Sequence, residues 1–370
     1  MNFEREDRIK GLLAKGVNNG VFPGAVLIAA NGGKLISFQA VGKRSLFFRS
    51  GSMKEDTIFD LASLTKPLAT TLALMKCVDD GKIDLDQPLE SLLVETIPED
   101  KKSLTPRLIM SHCAGFSDWE PFYLKLVDYQ LEKRKGLLRK WIMETPLVYK
   151  PGTETIYSDL GFMILEWIIE QCTRSPLPVF LDRNFFFPLS MKRTYFYDCV
   201  FPVRFEEDQF AATEECPWRK KLSLGFVHDE NAYALGGYSG HAGLFGTAEE
   251  VYIITDLLRS HFLGERQDYL RPETVRAFFT LQNIVKGSTW ALGWDTPSPG
   301  KSSSGKHFSV NSVGHLGYTG TSVWMDLEKN VIVILLTNRI HPTRKNEKIR
   351  AFRPVLHDMI MEEVFFDGRD

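Results

Sequence analysis

Ser63 and Lys66 stand three residues apart at the mouth of an apolar segment, DLASLTKPLATTLALM (60–75). A serine hydroxyl is a weak nucleophile until a neighbouring base takes its proton. A lysine desolvated in a cleft can be that base, or can hold another base ionised. Leu61, Leu64, Leu68, Leu72 and Met75 recur at helical spacing. Pro67 is tolerated only in a helix's first turn, where its missing N–H would have no partner. The pattern predicts a helix starting close to Ser63, with the hydroxyl at the positive end of the dipole. Lys66 then falls one turn on, on the same face. Ser-x-x-Lys alone is a weak signal, since Ser298/Lys301 and Ser303/Lys306 repeat it in the polar stretch SPGKSSSGKH (298–307), which reads as a flexible loop. Taken by itself, Ser63 could equally be a helix cap beside a solvated lysine.

Two further groups could complete such a site. Tyr157-Ser158-Asp159 precedes a helix with apolar residues at 160, 163, 164, 167 and 168. A tyrosine beside a helix mouth can act as a base if cations hold it as phenolate. The structural alternative is a buried aromatic at 157 and a helix cap at Ser158 or Asp159. His315-Leu316-Gly317 opens an arm of a predicted C-terminal hairpin. A cation at 315 would face substrate and steady a charged tyrosine, and Gly317 would let substrate lie against the strand edge. In FVHDENAYALGGYSGHAGLFGTAEE (226–250), Thr247 and Glu250 form a capping box. The polar run beginning at His228 and Asp229 either orders the rim of a cleft or binds substrate. His228 and His241 make no metal motif, since there is no His-Glu-x-x-His. Nothing else signals a metal or a cofactor.

These groups need elements to hold them. GAVLIAANGGKLISFQAVG gives two strand-like runs around Asn31-Gly32, a hairpin signal. GTSVWMDLEKNVIVILLTN gives a second hairpin, whose arm Val331–Leu336 is wholly apolar and mostly β-branched. NEKIRAFRPVLHDMIMEEVF reads as a closing helix. The fold class expected is α+β: an antiparallel sheet built from both ends of the chain, flanked by helices. A mainly helical domain (76–230) would be inserted into the α/β part (1–75 plus 231–370), with the active site between them. With 370 residues and a net charge of −2, the chain offers no electrostatic case for nucleic acid or an anionic membrane. No apolar run reaches a membrane span. The five cysteines are scattered and read as free buried thiols. The first residues read as a charged amphipathic helix, not a secretory signal, so a cytoplasmic location is expected unless a leader precedes them. Oligomeric state is not legible.

Ser-x-x-Lys, Tyr-x-Asp and His-x-Gly, in that order, resemble the elements of the serine β-lactamase and penicillin-binding-protein superfamily, in its class C variant with DD-peptidase and esterase relatives. GKIDLDQPLESLL, LIMSHCAGFSD, PGTETIYSDLGF and SGHAGLFGTAEEV are similar to that group as well, so the resemblance runs from about residue 20 to 340. It implies that Ser63 is acylated, that Lys66 and Tyr157 share the general-base work, and that Tyr157 returns a proton to the leaving group. It also implies an oxyanion hole from the backbone N–H groups of Ser63 and Tyr318, and His315 where relatives carry Lys or His. Asp159 stands where many relatives have asparagine. A carboxylate accepts hydrogen bonds only, so it would bind Lys66 and offer no donor to a β-lactam side-chain amide. The function expected is a serine hydrolase acting on an amide or ester of wall-peptide or muropeptide type, with a small-molecule or peptide substrate. Some members of the subgroup resembled cut the amide between N-acetylmuramic acid and L-alanine. A class C β-lactamase or carboxylesterase, and a non-catalytic sensor of wall fragments, are the alternatives.

Overall fold

Two hairpins from opposite ends of the chain zip into one antiparallel sheet. The computed structural model describes residues 3–47, 51–200 and 205–365. Helix α1 (Phe3–Asn18) leads into β1 (Gly24–Asn31) and β2 (Lys34–Gly42), joined by a tight turn in which Gly32 and Gly33 both take positive φ. Near the other end, β3 (Ser312–Leu316), β4 (Ser322–Asp326) and β5 (Val331–Thr337) form a meander. The order is β2-β1-β5-β4-β3, with Ile28 opposite Ile334 and His315 opposite Val323. β5 is buried along its whole length because both faces are covered. Val331, Val333 and Leu335 pack with Ile9 and Leu13 of α1 and with Leu356 and Ile360 of the closing helix. Ile332, Ile334 and Leu336 face the main core.

The long middle stretch supplies α2 (Leu72–Asp79), α3 (Asp159–Thr173) and α4 (Ala248–Leu263), and the chain closes with α5 (Ile349–Phe365). A small three-stranded sheet joins Phe59–Asp60 and Tyr195–Phe196 to Leu244–Gly246, and so fixes the residues just before Ser63. Among the described residues no helix is long and apolar enough to cross a membrane.

Three local expectations change. The Ser63 segment is not one regular helix: a 3-10 turn (Ala62–Leu64) passes into a π-helical stretch (Lys66–Thr71) before α2. Pro67 cannot donate and its ring crowds the preceding turn, so the winding is irregular there. The 298–307 loop is pinned rather than free. Lys306 N–H donates to Asp358 Oδ1 at 2.7 Å, and the Ser303 carbonyl accepts from His357 Nδ1 at 2.8 Å. The capping box is half formed. Thr247 Oγ1 accepts from Glu250 N–H, but the Glu250 carboxylate turns to the N–H groups of Lys192 and Arg193.

Candidate active site

Ser63 sits on a backbone that is held from three sides. Ala62, just before it, has φ of +48°, a left-handed conformation costly for a residue with a side chain. Asp60 maintains it. This buried carboxylate accepts from Ala62 N–H (2.9 Å) through Oδ1 and from His228 N–H (2.7 Å) through Oδ2. The turn after β3 completes the clamp, with Thr319 Oγ1 donating to the Asp60 carbonyl (2.8 Å) and Thr321 Oγ1 to the Leu61 carbonyl (3.1 Å). These bonds bring Tyr318 to the nucleophile turn, and Tyr318 N–H has no acceptor among the described residues. A side chain at Gly317 would strike Thr321 and stand 2.7 Å from the Leu61 carbonyl oxygen. Gly317 is therefore required by the close approach of the Ser63 turn, a packing reason beyond the room for substrate expected of it.

Lys66 is fully buried. Its Nζ lies 3.3 Å from Ser63 Oγ, 2.6 Å from Asp159 Oδ1 and 3.2 Å from the His241 carbonyl. Burial alone would lower its pKa, but the Asp159 carboxylate and Tyr157 outweigh that and raise it. Lys66 at rest is thus an ammonium. Tyr157 lies beside it, with Nζ 4.9 Å from the ring centroid. Its hydroxyl is buried and makes no hydrogen bond of good geometry, although Lys66 and Ser63 are near enough to favour its ionised form. Burial dominates and raises its pKa, so the resting tyrosine is neutral rather than the phenolate considered from sequence. Ser158 caps α3, accepting from Gly161 N–H at 3.4 Å. The cap at Ser158 is the structural reading of the Tyr-x-Asp segment, and Tyr157 stands beside Lys66 as a neutral candidate base.

His315 departs from its expected charge. It is buried, 5.9 Å from the Tyr157 ring, and Nδ1–H donates to the Leu316 carbonyl at 2.9 Å. Burial and the Lys66 charge push its pKa down to about 3. A neutral imidazole here can accept through Nε2 but cannot steady a phenolate by charge. Behind Tyr157 is a residue with no role legible in the sequence. The ring of His112 is 4.7 Å from that of Tyr157, and its Nδ1 accepts from Ser158 N–H at 3.0 Å. The LIMSHCAGFSD segment was the available signal, but nothing in its spacing says what the imidazole touches.

A cleft of about 430 Å³ opens onto Ser63, lined also by Asp118, Trp119, Asp159, Tyr318 and Arg344. His228 and Asp229 line it while being used internally. His228 Nε2 is 3.0 Å from Glu214, and Asp229 caps a short helix at Ala232 N–H (2.7 Å) and meets His241 Nε2 at 3.0 Å. Arg344 spans Glu214 and Glu230. Asp159, Asp229 and His241 bring ligand atoms within 4.8 Å of one another, an arrangement the sequence did not suggest. Lys66 already occupies Asp159 there.

The arrangement can carry acyl transfer. Ser63 would attack a carbonyl once the Lys66–Tyr157 pair, at rest an ammonium beside a neutral phenol, has lost a proton and can take that of the hydroxyl, and the Ser63 and Tyr318 N–H groups are the candidate donors to the oxyanion. A β-lactamase family model matches residues 9–355, nearly the whole chain. The chain belongs to the β-lactamase family. This family member is 33% identical over 351 residues to N-acetylmuramyl-L-alanine amidase of Bacillus subtilis (strain 168), covering 86% of this chain and 78% of that protein. It is also 33% identical over 317 residues to a putative D-alanyl-D-alanine carboxypeptidase of Salmonella paratyphi A, covering 80% and 72%. Among solved structures it superposes on EstCE1, a hydrolase with promiscuous acyltransferase activity, with a TM-score of 0.73 at 21% identity, covering 95% of this chain and 98% of that one. The octameric penicillin-binding protein homologue from Pyrococcus abyssi gives 0.70 at 19% identity, covering 99% and 77%. At such identities the structural likeness shows the fold, α+β with an antiparallel sheet. The β-lactamase-family protein is a serine hydrolase.

Proposed function

We propose that the protein cleaves the amide joining a muramyl lactyl group to L-alanine in muropeptides, through an acyl-enzyme on Ser63. The observation that carries this is the Ser63 hydroxyl 3.3 Å from the Nζ of a fully buried lysine, itself bound to Asp159 at 2.6 Å. The substrate is supported by the amidase relative and by the charges around the nucleophile. Lys66 is taken by Asp159, Arg344 is spanned by two glutamates, and His315 is neutral. His241, which Asp229 makes more basic than a free imidazole, is paired with that carboxylate at 3.0 Å. Among the described residues the cations lining the Ser63 cleft are thus each met by a carboxylate, which does not favour a further carboxylate beside the scissile bond, as a β-lactam or a D-Ala-D-Ala terminus would bring. Asp159 also lacks the donor that an asparagine would offer to an acyl side-chain amide.

In this reading the reactive form has lost one proton from the Lys66–Tyr157 pair. That pair removes the Ser63 proton, and Tyr157 delivers one to the departing alanine nitrogen. Water then attacks the ester, with the same pair as base. The test is release of L-alanine from N-acetylmuramyl-L-alanine, beside release of D-alanine from an acyl-D-Ala-D-Ala peptide. The first should be preferred, and Ser63→Ala should lower it by at least about 10³-fold while the fold survives. Preference for D-alanine release would move the assignment to a carboxypeptidase. Turnover undiminished in Ser63→Ala would remove the nucleophile.

A further inference from the structure

The 298–307 loop and the first turns of α5 enclose a second cavity, of about 380 Å³, that shares no lining residue with the catalytic cleft. Arg353 of α5 reaches into it and is 5% exposed. A guanidinium has five N–H donors and keeps its charge in proteins. Here one donor, on Nη2, goes to the Thr321 carbonyl at 3.0 Å, and Nε is buried with no acceptor. No carboxylate among the described residues pairs with it. Burial, with the charges of Arg339 and Arg350 adding, brings its pKa down to about 9. Buried charges in proteins are normally paired, because removal from water is costly and only a counter-charge offsets it.

The rest of the wall has the same sign. Lys301, Lys306 and Arg350 line the cavity, and Asp358 is the acid among them. The Oδ1 of Asp358 is used by Lys306 N–H. Arg350 is held by Glu347 at 2.9 Å, and Lys306 only loosely by Glu362 at 3.9 Å. His357 adds no charge, since burial pushes its pKa down to about 3. The loop is rich in serine and glycine, whose hydroxyls and unshielded N–H groups suit an anion.

We propose that this cavity binds a small oxyanion, a phosphate or carboxylate group, on the guanidinium of Arg353. The site lies behind the catalytic strand. Leu316 forms part of its wall, and the Thr321 carbonyl that Arg353 holds also accepts from Gly317 N–H at 2.8 Å. The proposal does not depend on which amide or ester Ser63 cleaves.

The test is calorimetric titration of the whole protein with inorganic phosphate and separately with acetate, each against sodium chloride of equal ionic strength, with melting temperatures followed in parallel. A saturable response beyond that to chloride is expected for one of the two or for both, and the stronger names the group. Lys301→Glu, at an exposed position, should weaken the affinity by about fivefold or more. Arg353→Met should abolish the saturable response. If Arg353→Met fails to fold, Lys301→Glu still decides. A response to neither anion beyond that to chloride overturns the proposal, as does one unchanged in Lys301→Glu.

Discussion

Replacing Gly317 by alanine tests how the two halves of the candidate oxyanion hole are spaced. The new methyl group would lie 2.7 Å from the Leu61 carbonyl oxygen, while a relaxed carbon–oxygen contact needs about 3.3 Å. Thr321 Oγ1, which it would also strike, can rotate away only by giving up its bond to the Leu61 carbonyl, and Leu61 is backbone two residues before Ser63. The strand end and the nucleophile turn must therefore part by about 0.6 Å, the difference between those two distances. Donors that stabilise an oxyanion act over a narrow range, and displacement of about half an ångström is enough to lose one. Losing one costs roughly 10²–10³ in kcat. Forcing extra volume into a packed site typically costs about 1–3 kcal/mol of stability as well. The assay is kcat on an activated ester beside thermal denaturation, for Gly317→Ala and for Gly317→Ala combined with Thr321→Ala. The double variant should recover none of the turnover, since the Leu61 contact persists and the Thr321 bond to that carbonyl is lost. Turnover within threefold of wild type in Gly317→Ala would show that this contact does not set the oxyanion geometry.

Three further outcomes are expected. Asp159→Asn removes the carboxylate that keeps Lys66 protonated, so the acid limb of kcat/KM should move to lower pH; a limb that stays put or rises removes Asp159 from control of the base. His315 is held at about 3, so His315→Gln should leave the position of any inflection between pH 5 and 7 unaltered whatever it does to the rate; an inflection that vanishes in the variant would mean that His315 titrates there. Stability should fall in two stages on acidification. His315 and His357 stay neutral to about 3 when folded but take up protons near 6.5 when unfolded, so melting temperature should begin to drop below about pH 6.5. Glu214, held at about 2 by His228 and Arg344 despite its burial, adds a contribution that is lost as pH falls from 4.5 towards that value. A melting temperature flat from pH 7 to 4.5 would contradict the buried histidines, and an unchanged acid slope in Glu214→Gln would contradict the carboxylate.

The sheet was readable because its signals are local. Asn31-Gly32 marks one turn, and the apolar run of β5 reports a strand covered on both faces. Ser63, Lys66, Tyr157 and His315 were readable as residue types in order, and the structure gathers them. Their protonation was not readable. Whether Tyr157 is phenolate or His315 cationic depends on burial, which is decided by chain far away in sequence. Asp60 and His112 hold backbone N–H groups of distant segments, those of His228 and Ser158, and no periodicity marks that. The 298–307 loop looks mobile by composition and is pinned by α5, a contact across about fifty residues.

The clamp on the nucleophile turn also fixes when the protein can become active during its own synthesis. Thr319 and Thr321 bond to carbonyls about 260 residues earlier in the chain, and β1 finds its inner neighbour only when β5 exists. A nascent chain that has already exposed Ser63, Lys66 and Tyr157 to solvent still lacks the second candidate oxyanion donor and the strand that seats the Ser63 turn. Contacts of such long separation close late. Chemical competence should therefore arrive in one step once β5 has been made, and chains that stop short of β5 should carry Ser63 without being able to use it.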